Sequence, residues 1–108
     1  MSNNDKQNSS NKFNKLPLAE LHPEFIKQLA TVHKVGKEKG YSKYSWLNTE
    51  LFPTIEILNA AMRHINAHLA GDLYNQEEGC TTKGYHLTHA AYNLLIAATQ
   101  IKEQENDK

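Results

Sequence analysis

The sequence predicts an all-α fold, a small bundle of three main helices preceded by an extended, partly disordered N-terminal arm. Apolar residues recur at helical spacing in three segments, and proline or glycine stands near the ends of these segments. No segment forms a convincing strand. Four of the six histidines lie within residues 60–93, also at helical spacing. The central helices therefore combine an apolar face with a polar one.

The chain has 108 residues, enough for one domain. Residues 1–14 are mostly polar and are predicted to be a disordered tail, residues 15–103 form the helical domain, and residues 104–108 are a frayed C-terminus. A domain of this size buries only about 60 to 65% of its unfolded surface. We therefore expect self-association to complete the bundle, which makes the protein a homo-oligomer.

The charges of twelve basic and twelve acidic residues cancel, so the formal net charge is zero. A neutral chain lacks the basic surplus that non-specific nucleic-acid binding or attraction to a membrane surface requires. Cys80 is the only cysteine, which excludes an internal disulfide and a multi-cysteine zinc site and gives little support to thiol catalysis. Without a signal-peptide core or an apolar run of about 18 residues, the protein is expected in the cytoplasm.

The first helix is predicted at residues 23–38. Pro23 suits a first helical turn, apolar residues follow at helical spacing, and Gly36 and Gly40 end the segment. The next stretch, residues 40–48, is too rich in large side chains to be a mere linker, and we call it the aromatic loop. Its rings are Tyr41, Tyr44 and Trp46. We expect them to pack over the core or over a ligand.

The second helix is predicted at residues 50–70, with Pro53 in its first turn and Gly71 as its C-terminal stop. Its apolar residues step by 3, 4, 3 and 4 positions and should face the core. They are Ile55, Leu58, Met62, Ile65 and Leu69. The third helix is predicted at residues 85–103. Its inward residues are Leu87, Ala90, Ala91, Leu94, Leu95, Ala98 and Ile101.

Two polar stripes follow these two helices. The first consists of His64, His68 and Asp72, and the second of His86, His89 and Asn93. The loop between these two helices has about a dozen residues. Helices joined by such a loop usually pack antiparallel, which should bring Asp72 close to His86. The stripes could share a metal ion, with Asp72 as a third ligand, or they could be histidines that hydrogen-bond between helices.

Arg63 is the only arginine and lies beside the first stripe. Its rigid guanidinium suits phosphate oxygens in a geometry that lysine cannot reproduce. The alternative is a salt bridge to Asp72 or Glu56. His64 and His68 could add hydrogen-bond donors when protonated.

Lys43, Tyr44 and Trp46 offer a cation and aromatic faces, as a site for a phosphate and a base requires. A lone tryptophan is nevertheless more often a core anchor. Glu77 and Glu78 are either solvated loop charges or ligands of Mg²⁺, which prefers carboxylates together with substrate phosphates.

Five motifs follow one another between Lys15 and Gln100: Lys-Leu-Pro-Leu, Lys-Tyr-x-Trp, Ala-Ala-x-Arg-His-x-x-Ala-x-x-x-Gly-Asp, Glu-x-Gly and His-Leu-x-His-Ala-x-x-Asn. Together they resemble a small helical family found mainly in phages, the dATP/dGTP diphosphohydrolase-like proteins. The resemblance implies a purine deoxynucleotide pyrophosphohydrolase, located in the host cytoplasm if the chain is phage-encoded. The residues then suggest roles: Mg²⁺ on Asp72, Glu77 or Glu78, charge neutralised by Arg63 and Lys43, and water handled by His86 or His89.

The chain departs from that family's pattern of Lys-Tyr-Gly-x-x-Asn-Trp, Gly-Glu and Asp-x-Glu-Ser-Gly. Ser45 precedes Trp46, Asp72 replaces a glutamate, Asn75 stands at the aspartate position and Glu78 at the serine position. Most of these departures fall in the acidic segment that a metal-dependent hydrolase needs. A non-catalytic binder that sequesters a nucleotide or a nucleotide-like immune signal of the host, an anti-defence protein, is therefore the alternative. A structural helical adaptor is a third possibility.

The expected ligand pocket lies between the second and third helices near their connecting loop. Phosphates should point at Arg63, His86 and His89, and a base or other flat group should lie against an aromatic ring. The remaining predicted ligand-binding residues are Lys43, Tyr44, Trp46, His64, His68 and Asn93.

Overall fold

The computed structural model describes residues 15–106. In this range the chain forms three α-helices and one two-stranded sheet, in the order α1 (Pro23–Glu38), α2 (Thr54–Leu69), β1 (Tyr74–Gln76), β2 (Lys83–Tyr85) and α3 (His86–Asn106). Two short 3-10 turns lie at Leu18–Glu20 and Ser45–Leu47. The predicted three-helix fold is confirmed, while the predicted tail at residues 1–14 lies outside the described residues. None of the three helices in this range is long and apolar enough to cross a membrane.

α1 begins and ends where the sequence predicts. The His22 side chain accepts a hydrogen bond from the backbone N–H of Glu24 at 3.0 Å, and Pro23 occupies the first turn, where its missing N–H has no helical partner. Beyond the other end, Gly40 adopts a φ of 93°. The backbone N–H of Tyr41 then donates to Gly36 O at 3.0 Å. This closure turns the aromatic loop back over the end of α1.

α2 begins at Thr54 rather than at residue 50. Asn48 Oδ1 accepts hydrogen bonds from the backbone N–H groups of Glu50 and Leu51, at 3.0 and 3.3 Å, so this segment forms a turn instead of helix. Pro53 also disfavours helical geometry in the residue before it. At its C-terminal end α2 stops at Leu69, and the predicted stop, Gly71, has a φ of 99°.

The hairpin of β1 and β2 corrects the prediction that the chain contains no strand. The strands pair antiparallel with Tyr74 opposite Tyr85, whose ring centroids are 4.9 Å apart. Strands of three residues are too short for an alternating sequence pattern to reveal them. The backbone N–H of His86 donates to Leu73 O at 2.9 Å, so α3 starts directly from the hairpin.

α2 and α3 pack antiparallel, with their polar stripes facing each other. Asp72 contacts His86 beyond the end of α2 at 3.2 Å, and Thr54 contacts Gln100 at the other end at 2.7 Å. The buried hydrophobic core in residues 15–106 is small and consists of Val32, Val35, Ala61, Ala90, Ile96 and Ala97. The buried part of the helix pair therefore mixes small apolar side chains with polar ones.

The predicted apolar face of α2 does not point into the core of the single chain. Ile55, Leu58, Met62 and Leu69 are 37 to 76% exposed. On α3 the prediction fails in the same way: Ala90 is buried, whereas the other predicted inward residues, Leu87, Ala91, Leu94, Leu95, Ala98 and Ile101, are exposed. The physical reason is that the histidine and glutamine side chains find their hydrogen-bond partners only when they point inward.

The loop between β1 and β2 is fastened to the end of α1 by one carboxylate. Glu38 accepts four hydrogen bonds, from the backbone N–H and the hydroxyl of both Thr81 and Thr82, at 2.8 to 3.1 Å. These donors, first of all the backbone N–H of Thr82, lower the pKa of Glu38 from 4.5 to about 2.

We expect Glu38 to make the fold acid-sensitive in a defined pH window. Because its pKa is lower in the folded state, its contribution is complete above pH 4.5 and is lost as the pH falls toward about 2. Thermal melts of the parent protein and of Glu38→Gln should differ at neutral pH and converge across this window. Glu78→Gln, at an exposed loop position, is the control and should melt like the parent. A constant difference from pH 7 to pH 2 would contradict the assignment.

Candidate functional site

Three histidines from α2 and α3 form one cluster. His64 Nδ1 lies 2.8 Å from His86 Nδ1, and the ring of His64 stacks on that of His89 with centroids 4.8 Å apart. His86 and His89 are buried and His64 is half-buried. The predicted meeting of the two polar stripes is therefore observed, and it is built on direct imidazole contacts.

Asp72 determines which nitrogens of this cluster carry protons. Its Oδ2 lies 3.2 Å from His86 Nε2. An ionised carboxylate only accepts hydrogen bonds, so His86 Nε2–H is the donor, and a neutral His86 then has an unprotonated Nδ1. That nitrogen accepts from His64 Nδ1–H, which leaves His64 Nε2 unprotonated. His64 Nε2 has no hydrogen-bond partner within residues 15–106.

His89 is held by a second set of contacts that comes from β1 and the loop after it. Asn75 Nδ2 donates to Glu77 Oε2 at 3.0 Å and contacts His89 Nε2 at 3.4 Å. Glu77 in turn pairs with Lys39 Nζ at 3.6 Å. Gly84 of β2 packs against His89, since a Cβ atom there would lie in ordinary van der Waals contact, 3.5 Å from His89 Nε2. The hairpin therefore forms one wall of the cluster.

Burial keeps two of these histidines neutral. It lowers the pKa of His64 and, with the neighbouring imidazoles, lowers that of His89 to about 4. Both rings are therefore uncharged at neutral pH. The expectation that a protonated His64 supplies extra donors for phosphate is thus corrected, because a neutral imidazole has one donor and one acceptor.

A cavity of about 560 Å³ opens beside the cluster. It is bounded by the end of α1, the aromatic loop, α2, the hairpin and α3, and its size is in the range of small-molecule sites. The predicted pocket between the second and third helices exists, but α1 contributes a wall that the sequence did not indicate. The predicted site residues in its lining are Tyr44, Trp46, Arg63, His64, Glu77, His86, His89 and Asn93.

The aromatic loop provides the apolar end of the cavity. Tyr44 has a φ of 61°, a left-handed conformation that is uncommon outside glycine and costs about 1 to 2 kcal/mol. Its ring packs edge-to-face with Trp46, at a centroid distance of 6.1 Å. Lys43 Nζ lies 5.1 Å from the centre of the Tyr44 ring, but Lys43 is not part of the cavity lining.

Arg63 lines the cavity without an ion-pair partner among residues 15–106. The salt bridges to Asp72 or Glu56 that the sequence left open are not formed. Lys39 also lines the cavity, and sequence analysis missed it because nothing distinguishes it from the other lysines. The lining therefore holds three basic side chains, those of Lys37, Lys39 and Arg63.

The remaining predicted site residues lie outside the cavity lining. They are Lys43, His68, Asp72 and Glu78. Asp72 still contacts the cluster through His86, whereas Glu78 is exposed. Within residues 15–106 no group of three or more His, Cys, Asp or Glu side chains is arranged to hold a metal ion. Cys80 is a poor candidate for a nucleophile, because burial and nearby carboxylates raise the pKa of its thiol.

A comparison with protein families decides the classification. The model of the family described as dATP/dGTP diphosphohydrolase, N-terminal, matches residues 4–108. The chain belongs to this family. Comparison with curated proteins and with solved structures finds no match. The resemblance indicated by the sequence motifs is thus confirmed at the level of the family.

Family membership gives the cavity a context. Four of the five motifs that carry the resemblance contribute residues to its lining, including those with Tyr44 and Trp46, Arg63 with His64, and His86 with His89. Lys-Leu-Pro-Leu does not contribute to the lining. Each of the other four motifs therefore places at least one residue at the same cavity.

Proposed function

We propose that this member of the family binds a purine deoxynucleoside triphosphate in the 560 Å³ cavity and hydrolyses it to the monophosphate and diphosphate. One observation carries the proposal: a single cavity joins an aromatic end to a guanidinium that has no ion pair in residues 15–106 and to a histidine cluster in which burial lowers the pKa of His64 and His89. A nucleotide is a ligand that needs both ends.

The two ends suggest how the ligand lies. The base packs against Tyr44 and Trp46, because a flat aromatic group gains most from ring faces and edges. The phosphates reach Arg63 and Lys39, two of the basic residues in the lining. A guanidinium can bind two phosphate oxygens at once, and an ammonium supplies a further point charge. Together they offset the charge that builds up on the phosphates during hydrolysis.

His64 Nε2 is the proposed proton acceptor for the attacking water. The water oxygen forms a bond to the α-phosphorus while the bond from that phosphorus to the bridging oxygen breaks, and diphosphate leaves. The water proton passes to His64 Nε2, and Asp72 with His86 holds the ring in the required tautomer. We choose His64 over His86 or His89 because Nε2 of each of those rings already has a partner, Asp72 or Asn75.

A resident magnesium site does not fit the donor set. Among residues 15–106, Glu77 is the only carboxylate in the cavity lining, and it is already engaged by Lys39 and Asn75. Magnesium usually binds through one or two carboxylates together with substrate phosphates. We therefore treat Mg²⁺ as part of the nucleotide substrate and assign no step to a metal held by the protein.

The same shortage of carboxylates favours a second candidate function. A binder that sequesters a nucleotide or a nucleotide-like signal uses the same arginine, histidines and aromatic rings, but it needs neither a metal nor an activated water. Sequestration of a host immune signal would be one such role. The two candidates share the ligand class and differ only in turnover.

The test is to incubate the pure protein with Mg²⁺ and dATP or dGTP and to follow monophosphate, diphosphate and bound nucleotide. Release of monophosphate and diphosphate supports the hydrolase, whereas stoichiometric binding with intact nucleotide recovered supports the binder. If no nucleotide binds or raises the melting temperature, both candidates fail and a structural adaptor is the better description.

Arg63→Ala should weaken nucleotide binding about 10- to 100-fold, because one charge-assisted hydrogen bond contributes about 1.5 to 3 kcal/mol. Lys43→Ala is the matched control: it removes a basic residue that lies outside the lining and should bind like the parent. Calorimetric titration of both variants measures the effect. Equal affinities for the parent and Arg63→Ala would place the phosphates elsewhere.

A further inference from the structure

The helix pair exposes a continuous apolar surface on the side away from the cavity. Its large members are 37 to 76% exposed. We define this apolar face by Ile55, Leu58, Met62 and Leu69 of α2 and by Leu87, Leu94 and Ile101 of α3. These are side chains that sequence analysis assigned to the core.

Helical geometry places both halves of the face on one flank. An α-helix turns by about 100° per residue. Relative to buried Ala61, Met62 is therefore rotated about 100° in one direction around the axis of α2. The cavity residues Ala60 and His64 are rotated about 60 to 100° in the other direction. α3 shows the same arrangement. Relative to Asn93, Leu94 is rotated about 100° in one direction and Tyr92 about 100° in the other. Both Asn93 and Tyr92 line the cavity.

Because α2 and α3 run antiparallel, equal rotations from their facing sides lead to the same flank of the pair. The cavity and α1 occupy the opposite flank, as the contacts of Thr88 with Gln28 and of Tyr92 with His33 confirm. A partner on the apolar face would therefore leave the cavity open.

The pattern along both helices is that of a helix bundle. On α2 the residues at positions 55, 58, 62, 65 and 69 alternate steps of three and four, and on α3 positions 87, 91, 94, 98 and 101 do the same. This heptad spacing allows side chains of one helix to pack between those of another. Residues 86–101 contain no Asp, Glu, Lys or Arg, and Glu56 and Arg63 fall outside the face of α2. The face is therefore suited to an apolar partner.

We infer that the apolar face binds a second copy of this chain, so that two α2–α3 pairs form a four-helix bundle. A symmetric dimer brings the same patch together on both copies and needs no other protein. Each helix is about 24 Å long or more and about 10 Å wide, so the pair offers roughly 500 Å² in projection and a larger accessible area. The projected area alone is more than half of the roughly 800 Å² of accessible surface that each partner buries in a standard interface.

Residues 1–14 do not supply an equivalent cover, because Met1 and Phe13 are their only large apolar residues. The buried hydrophobic core in residues 15–106 is six residues, small for a domain of this length. The inference does not depend on the proposed function.

The test is sedimentation velocity over a concentration series from about 1 to 100 μM, on the parent and on Met62→Lys. The parent should be a dimer, and Met62→Lys should dissociate at least about 100-fold more readily, because the ammonium would be buried against apolar side chains. Phe25→Lys is the matched control, since Phe25 is 60% exposed on α1, outside the apolar face. It should remain dimeric.

Circular dichroism checks that Met62→Lys is folded. We expect it to fold, because Met62 is exposed in the single chain. Leu94→Lys is a second variant on the other helix and should also dissociate. A parent that is monomeric at 100 μM overturns the inference and leaves a different occupant for the face. So does a dimer that survives in both folded face variants, or one that Phe25→Lys disrupts instead.

Discussion

Replacing Gln100 with leucine is expected to lower the free energy of unfolding by about 3 kcal/mol or more. Gln100 is 1% exposed, and its side chain has partners on both sides. Nε2 donates to Trp46 O at 2.6 Å and to Phe52 O at 2.9 Å, and Oε1 accepts from Thr54 Oγ1 at 2.7 Å. Leucine fills similar space but leaves these groups without a partner, at about 1 to 3 kcal/mol for each buried one.

Gln104→Leu is the matched control, because Gln104 lies on the same helix one turn later and is exposed. It should change the stability by no more than about 0.5 kcal/mol. Urea denaturation followed by the fluorescence of Trp46, the only tryptophan, measures both variants. If Gln100→Leu is as stable as Gln104→Leu, the three hydrogen bonds do not hold the segment before α2.

The position of Gln100 also connects the fold with the ligand. It fastens the backbone of Trp46, and Trp46 forms part of the aromatic end of the cavity. The aromatic loop is thus held at Trp46 by Gln100 of α3 and at its start by the turn at Gly40. A side chain that touches no ligand can in this way determine where the aromatic rings stand.

Sequence reasoning found the three helices and the facing histidines, but it missed the hairpin and the inner face of each helix. On α2, the apolar series 55-58-62-65-69 and the mixed series 57-61-64-68 are both helical stripes. Hydrophobicity favours the first, yet His64 in the second finds partners in His86 and His89. A periodic pattern cannot tell a core face from an interface with another molecule. That distinction required the positions of all three helices.

The candidate site was predictable where spacing alone brings residues together. His64, His86 and Asp72 follow from helical geometry and an antiparallel turn, and they are in contact. Lys39 and Asn75 could not be found, because each reaches the cavity through a turn or a short strand that leaves no pattern in the sequence. Gln100 was missed for a related reason, since its partners are backbone carbonyls, which every residue has.

His64→Gln is expected to reduce kcat about 10²- to 10⁴-fold if the protein is a hydrolase, the usual contribution of a general base. Glutamine keeps a similar size and can still hydrogen-bond to His86, but it cannot take a proton from water. His68→Gln is the control, because His68 is a half-buried histidine one turn further along α2 and outside the cavity lining. Its kcat should be close to that of the parent, and nucleotide affinity should change little in both variants.

The tautomers can be tested without turnover, which keeps the assignment separate from the question of catalysis. Nitrogen-15 NMR of histidine-labelled protein at pH 7 should show His64 protonated at Nδ1 and His86 protonated at Nε2, as the contact with Asp72 requires. Asp72→Asn should disturb this pattern and lower kcat less than His64→Gln does, because the Asp72 side chain is 68% exposed and water can replace part of its role. If His64 is instead protonated at Nε2 in the parent protein, that nitrogen cannot accept a proton from water. The base would then have to be a different group, even in an active enzyme.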